Sequence, residues 1–288
     1  MSAKHILFVS VLAALCFGMM ARAQDLQFST DSTAGQAISI PTKGSGSATL
    51  YVFGPGTAIK KKIELGQPVQ IEGEQMRNAG RYEVVIEGDE NSSGAFFVAP
   101  AKLANIAFLA RPSRVPAARK DVVTGSAYLF DAYNNLVQEK YPVKFELNVE
   151  GAPPVSETEE SKNGVTWVKM DSGKKAGTAQ FTASAGDASV KRVVQETASD
   201  PCTIRMKAEP AKNGNILVET DPIRDCAGNP VPDGTIVTFT SVDQKGKSTV
   251  DARIKRGIAQ AELPASQNTT LSVAAGVVLG NEIHWGGR

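Results

Sequence analysis

The sequence predicts an all-β protein of tandem β-sandwich domains, exported behind a cleaved leader. Three observations carry that prediction: an apolar N-terminal stretch with a small-residue exit, many turn residues between short Val/Ile/Phe/Thr runs, and a repeat linking the middle of the chain to its end.

The leader comes first in the chain. Lys4 is a basic start, Ile6 to Met20 is nearly all apolar, and Ala21-Arg22-Ala23 presents the small-x-small pattern that signal peptidase cleaves, here before Gln24. A membrane anchor is the competing reading, but the apolar run is short of the roughly 20 residues a bilayer needs. A lipoprotein reading fails at Leu15, which stands before Cys16 where a small residue is required. Residues 1–23 are therefore expected to be a signal peptide. The mature chain, with no second apolar stretch and no membrane span, is expected in the periplasm or outside the cell.

Without Lys4 and Arg22 the chain carries 29 basic against 30 acidic residues. That balance argues against a nucleic-acid partner, which calls for a concentrated basic surface. The one basic run, Lys60-Lys61-Lys62, reads as a solvated strand edge that lysines protect from unwanted pairing.

Twenty-six glycines and 15 prolines punctuate short β-prone runs, and no long segment shows apolar residues at helical spacing after the leader. In the first third, Ala48–Phe53, Ile59–Leu65, Val69–Ile71, Arg81–Ile86 and Ala95–Val98 read as strands, with turns at Gly54-Pro55-Gly56 and between Gly88 and Gly94. Ala79-Gly80-Arg81-Tyr82 matches the approach to a late sandwich strand, where a tyrosine pins a corner; a plain strand tyrosine explains it as well.

The repeat organises the rest. Asp131-Ala-Tyr-Asn-Asn135-Leu-Val137 and Asp225-Cys-Ala-Gly-Asn229-Pro-Val231 share Asp-x-x-x-Asn-x-Val at an offset of 94. Each is followed at the same spacing by a strand, Val143-Lys-Phe145 and Val237-Thr-Phe239. Upstream, Ile106–Pro112 answers Ile204–Pro210. Downstream, Gly177-Thr-Ala179-Gln180 is matched to Gly257-Ile-Ala259-Gln260, and Ala185-Gly186 to Ala275-Gly276. Six or seven strands in about 90 residues, with turn signals every 8–12, is the pattern of an immunoglobulin-like sandwich. The expected domains are 24–100, 101–199 and 200–288, joined by short linkers near Pro100 and Pro201. Asp131, Asn135, Asp225 and Asn229 read as turn formers, whose side chains bond the nearby backbone. Calcium ligation would need more oxygens at one point.

Asp225-Cys-Ala-Gly-Asn229-Pro-Val231-Pro-Asp-Gly234-Thr-Ile-Val237-Thr-Phe239, followed by Gly257-Ile-Ala259, resembles the bacterial Ig-like domains of the invasin and intimin kind. The middle unit resembles them less closely, with Asn134-Asn135-Leu136 in place of Gly-Asn-Pro, and the first domain shows no such motif. The resemblance implies stalk modules that project a binding tip. This chain shows neither a barrel nor a cell-wall sorting signal.

Cys16 leaves with the leader. Cys202 and Cys226 remain in an oxidising compartment. A hairpin of the last domain's first two strands, turning about Asn213-Gly214, sets them face to face and predicts a bridge worth roughly 3 kcal/mol. Two free thiols or an intermolecular bridge are the alternatives.

Candidate chemistry is sparse. His284 is the one histidine beyond the leader, which argues against a Ser-His-Asp machine and a multi-histidine zinc site. No catalytic residue, metal ligand or cofactor is expected. The stretch from Leu147 to Gly177 is 14 residues longer than its matched counterpart, and Glu150 to Gly164 within it is expected to be a protruding loop. Glu150, Glu157, Glu159 and Glu160 are its candidate binding residues. A solvated loop without a role is the plainer reading of the same residues. Trp167, inside Val165–Met170, reads as a core residue of a strand rather than a sugar platform.

The expected function is a cell-envelope or surface structural and adhesive module whose partner is a protein or polysaccharide of the envelope or of a host surface. A carbohydrate-binding accessory protein is the alternative, with a carboxylate-based hydrolase a remote one. Exposure and coplanarity of Trp167, Tyr128, Tyr133 or Tyr141 would favour the carbohydrate reading.

Overall fold

The computed structural model describes residues 24–25, 32–88, 91–264 and 266–286. The signal-peptide expectation for residues 1–23 lies outside them. The chain divides into two compact units, 1–103 with 130–138, and 104–129 with 139–288.

In the first unit, alternation of apolar and polar residues builds a sheet with one buried face. Strands β1 (Gln24–Asp25), β8 (Ser92–Ala99), β7 (Gly80–Glu87), β4 (Ser47–Gly54) and β5 (Thr57–Glu64) lie in that order, with β2 (Ser32–Thr33) also on β8. Across the core stands the pair β3 (Ile38–Ile40) and β6 (Val69–Ile71). Leu50, Val52, Tyr82, Val84 and Ile86 meet Ile40 and Ile71 there. The period-2 pattern fixes this register, since a one-residue slip would turn Leu50 and Val84 to water. Tyr82 is fully buried and its hydroxyl donates to the Asn78 carbonyl at 2.8 Å, four residues upstream, so the tyrosine-corner expectation holds.

The second unit holds two sandwiches of the same plan. In one, β10 (Arg114–Pro116), β16 (Ala188–Thr197), β15 (Gly177–Ala185), β12 (Pro142–Val149) and β13 (Val155–Glu160) form a five-stranded sheet. It faces β14 (Val165–Met170), β11 (Val123–Phe130) and β9 (Asn105–Arg111). Phe108, Phe145 and Phe181 fill the space between, with Phe108 edge-on to Phe181 at 5.0 Å between ring centres. A Cβ on Gly125 would lie 2.8 Å from the Phe181 ring, so that strand position must be glycine. In the other sandwich, β20 (Gly246–Arg253), β19 (Ile236–Asp243), β22 (Thr269–Ala275) and β23 (Val278–Trp285) face β17 (Met206–Pro210), β18 (Asn215–Thr220) and β21 (Gln260–Pro264). Phe239, Val237, Leu271 and Ile216 make its core.

The strand plan corrects one part of the repeat. Topologically β14 corresponds to β21, and β15 to β22. The tight turns Lys162-Asn163-Gly164-Val165 and Lys255-Arg256-Gly257-Ile258 are the true equivalents. Each closes with a bridge from the lysine to the β-branched residue and has its two central residues at positive φ. Gly257-Ile-Ala259 therefore answers Gly164-Val-Thr166, at an offset of 93, and not Gly177-Thr-Ala179. The 14-residue insertion disappears with that correction. The middle module carries Thr166 where the last carries Ala259, and its own Gly-x-Ala falls one strand later at Gly177, so residue identity points to the wrong strand where spacing points to the right one.

Candidate functional site

The Asp-x-x-x-Asn turns do more than turn. Asp131 Oδ1 accepts from the Tyr133 and Asn135 amides at 2.8 and 2.9 Å, while Oδ2 accepts from Asn135 Nδ2 and the Ala101 amide, both at 2.8 Å. Asn135 then reaches onward, with Oδ1 accepting from the Ala79 amide and Nδ2 donating to the Arg77 carbonyl. In the second unit Asp225 and Asn229 repeat the pattern bond for bond. Asp225 takes Ala227, Asn229 and the linker amide of Ser199, and Asn229 takes the Ala176 amide and the Lys174 carbonyl. Burial pushes the Asp131 carboxyl up, but donors from Asn135, Ala101 and Tyr133 outweigh it and hold it below the ordinary 3.8. Asp225 is held down in the same way by Asn229, Ser199 and Ala227. The reading as turn chemistry is right as far as it goes. The partners it missed are backbone atoms, which leave no mark in a sequence motif.

Cys202 and Cys226 form a disulfide with Cα atoms 4.6 Å apart. The two cysteines do not stand face to face as the hairpin about Asn213-Gly214 predicts. Met206 faces Thr220, so the hairpin turns about Asn213, and the residue level with Cys202 is Arg224, whose carbonyl accepts the Cys202 amide. The two cysteines are diagonal neighbours beyond the strand ends, both exposed to solvent. The bridge ties the start of the last sandwich to the turn that carries Asp225.

The expected protruding loop over 150–164 instead contains an edge strand at its centre, with turns on either side. Glu150 lies in a turn, its carbonyl accepting from Lys175 Nζ at 3.0 Å. Glu157, Glu159 and Glu160 stand on β13, the edge of the five-stranded sheet. Glu157 pairs with Phe145 and Glu159 with Val143, both fully buried, so these two glutamates point along the core face at its open rim. Lys61 on edge strand β5 stands likewise opposite buried Leu50. Inward-pointing charge on an edge strand prevents a second sheet from pairing there, because pairing would bury the charge. The strand-edge expectation for Lys60–Lys62 fits this placement.

Trp167 is the largest departure from expectation. It is 63 % exposed, on the outer face of β14, directly across from Ser126 and diagonal to Tyr128, which is 39 % exposed. The apolar run Val165–Met170 suggested a core strand, but its inward positions are Thr166, Val168 and Met170, and the phase sends the indole outward. Leu109, 48 % exposed, joins the same face: its neighbour Phe108 packs inward against Gly125 and Phe181. Tyr133 packs against the first unit's core with the Arg77 guanidinium 6.0 Å from its ring centre, and the Tyr141 hydroxyl donates to Glu139 at 3.1 Å. His284 lies exposed on β23, 3.2 Å from the Thr270 hydroxyl. Among the described residues no three His, Cys, Asp or Glu side chains gather as a metal site would require.

The architecture is one of tandem Ig-like β-sandwiches. No family model matches the sequence, and no curated protein matches it either. Among solved structures, the chain is similar to FdeC, an Escherichia coli adhesin, at 16% identity and TM-score 0.59, covering 90% of this chain and 91% of that one. It is also similar to Yersinia pseudotuberculosis InvD, at 12% identity and TM-score 0.52 over 88% of this chain and 93% of that one. A third similarity is to invasin, described as a bacterial integrin-binding protein, at 14% identity and TM-score 0.50 over 88% of this chain and 56% of that one.

Proposed function

We propose that the chain is an exported, non-catalytic adhesive protein of three Ig-like modules, 24–100, 101–199 and 200–288, that presents its sheet faces to a protein or polysaccharide of the cell envelope or of a host surface. The observation that carries this reading is the aromatic face of β9, β11 and β14 in the middle module, which its sister module leaves polar. Trp167 corresponds to Gln260 through the shared Lys-x-Gly turn, Ser126 to Glu219 through strand pairing, and Leu109 to Lys207. A fold that accepts Gln260, Glu219 and Lys207 at these positions does not need an indole there, so the indole answers to something outside the fold. The adhesin and invasin descriptions of proteins with this fold support the reading.

The carbohydrate-binding alternative is favoured by one observation, the exposure of Trp167 beside Tyr128. The hydrolase alternative has none in its favour, because its densest carboxylates line an open strand edge. The test is direct. Tagged full chain, purified and offered at rising concentration to fixed bacterial and mammalian cells, is expected to bind one of them saturably. Absence of saturable binding to both would overturn the adhesive reading.

A further inference from the structure

We infer that the outer face of β9, β11 and β14 is a binding site for an acidic polysaccharide, one whose sugar rings carry carboxylates as uronic acids do. The inference rests on the binding-module reading above and assigns it a site and a ligand chemistry.

The first argument is shape and area. A stable protein interface covers about 800 Å² on each partner. An aromatic side chain buries about 150–250 Å², so Trp167 and Tyr128, with Leu109 on the same face, suit one or two sugar rings better than a folded domain. The indole has a negative π face, and the C–H groups on one side of a pyranose ring are slightly positive, so ring and indole stack flat. Ser126, across from Trp167, and the Tyr128 hydroxyl lie where the rim of a stacked sugar presents its hydroxyl groups.

The second argument is charge. The three strands of this face contain no Asp or Glu, and their outward charged side chains are Lys169 and Arg111. Both are exposed, and neither makes a side-chain hydrogen bond or ion pair among the described residues. Lys169 stands two residues from Trp167 on the same face of β14. The sister sheet carries Glu209, Glu219 and Glu262 in its three strands, and there Lys207 is engaged by Glu219 at 3.7 Å. Free cations on the same face as an exposed indole, in three strands that hold no carboxylate, fit an anionic sugar. A neutral glycan would leave Lys169 and Arg111 without a role.

The probe is oligogalacturonate, compared with a neutral cello-oligosaccharide of equal length, titrated into the full chain by calorimetry. Wild type is expected to bind the acidic oligomer saturably and the neutral one more weakly, with affinity falling as salt rises. Trp167→Ala, and separately Lys169→Glu combined with Arg111→Glu, are each expected to weaken binding by about tenfold or more, which is about 1.4 kcal/mol. All these side chains are exposed, so unchanged melting curves confirm that the variants fold. Equal binding of the neutral oligomer, no saturable binding of the acidic one, or binding that Trp167→Ala leaves unchanged would each overturn the inference. Cell binding that persists in Trp167→Ala would overturn it while leaving the adhesive reading intact. Cell binding that Trp167→Ala abolishes without any oligosaccharide binding would also overturn it, in favour of a protein ligand.

Discussion

At the scale of the residue, the Asp–Asn pair shows how one turn motif holds separate pieces of chain. Asn229 is 8 % exposed and Asp225 4 %, and every polar atom of the two side chains is matched to a donor or acceptor between 2.8 and 3.0 Å. Replacing Asn229 by alanine strands the Ala176 amide and the Lys174 carbonyl and removes a donor from a buried carboxylate. Unpaired buried groups cost about 1–3 kcal/mol each, and water reaches part of this site, so Asn229→Ala is expected to destabilise the second unit by about 2–3 kcal/mol. Chemical denaturation of the full chain, followed by Trp285 fluorescence in a Trp167→Phe background, measures it. Asn135→Ala is the matched change in the first unit, where the bonds go to Ala79 and Arg77 instead.

At the scale of the element, edges and faces divide the work. Strand β13 is exposed along nearly its whole length, and its inward-pointing Glu157 and Glu159 make it a poor template for a further strand. Replacing both with valine lengthens the apolar rim beside Val143 and Phe145 while removing two charges. The double variant Glu157→Val, Glu159→Val is expected to fold and to aggregate with rising concentration where wild type stays dispersed; light scattering across a dilution series would show it. A variant that stays as dispersed as wild type would end the edge-guard account. The strands themselves were legible because alternation dictates which face is buried, as in β4 and β7. Phase was legible only where several apolar residues vote together. In β14, Val165 and Trp167 alternate with Thr166, Val168 and Met170, both sets are largely apolar, and the packing alone decided which set went inside.

At the scale of the whole molecule, buried carboxylates pull stability in opposite directions with pH. Asp131 and Asp225 have folded values below the ordinary 3.8, so the stability they add is present above that pH and is lost as pH falls through it. Glu196 is the reverse case. It is 1 % exposed, its Oε1 accepts from the Gly173 amide at 2.9 Å, its Oε2 has no partner among the described residues, and burial pushes its carboxyl above the ordinary 4.5. Its protonated form fits the fold better, so its contribution is full below 4.5 and is lost as pH rises through the folded value. Glu196→Gln is expected to match wild type near pH 4 and to exceed it by about 1 kcal/mol at neutral pH. The difference between the two melting curves across that range isolates this one group, and a difference independent of pH would contradict the account.

The sequence by itself determined the all-β class, most strand positions, the tandem repeat and the pairing of Cys202 with Cys226, because each is written in local alternation, turn residues or counting. It also placed Asp131, Asn135, Asp225 and Asn229 in equivalent turns. Tertiary structure decided the rest. The hairpin register moved the cysteines from facing to diagonal, and strand topology reassigned Gly257 from Gly177 to Gly164. The acidic segment became a guarded edge because β12 offered it a ladder of backbone partners. Trp167 went to the surface because the space inside that sandwich was already filled by Phe108, Phe145 and Phe181, a competition for volume among residues more than 70 positions apart at its extremes.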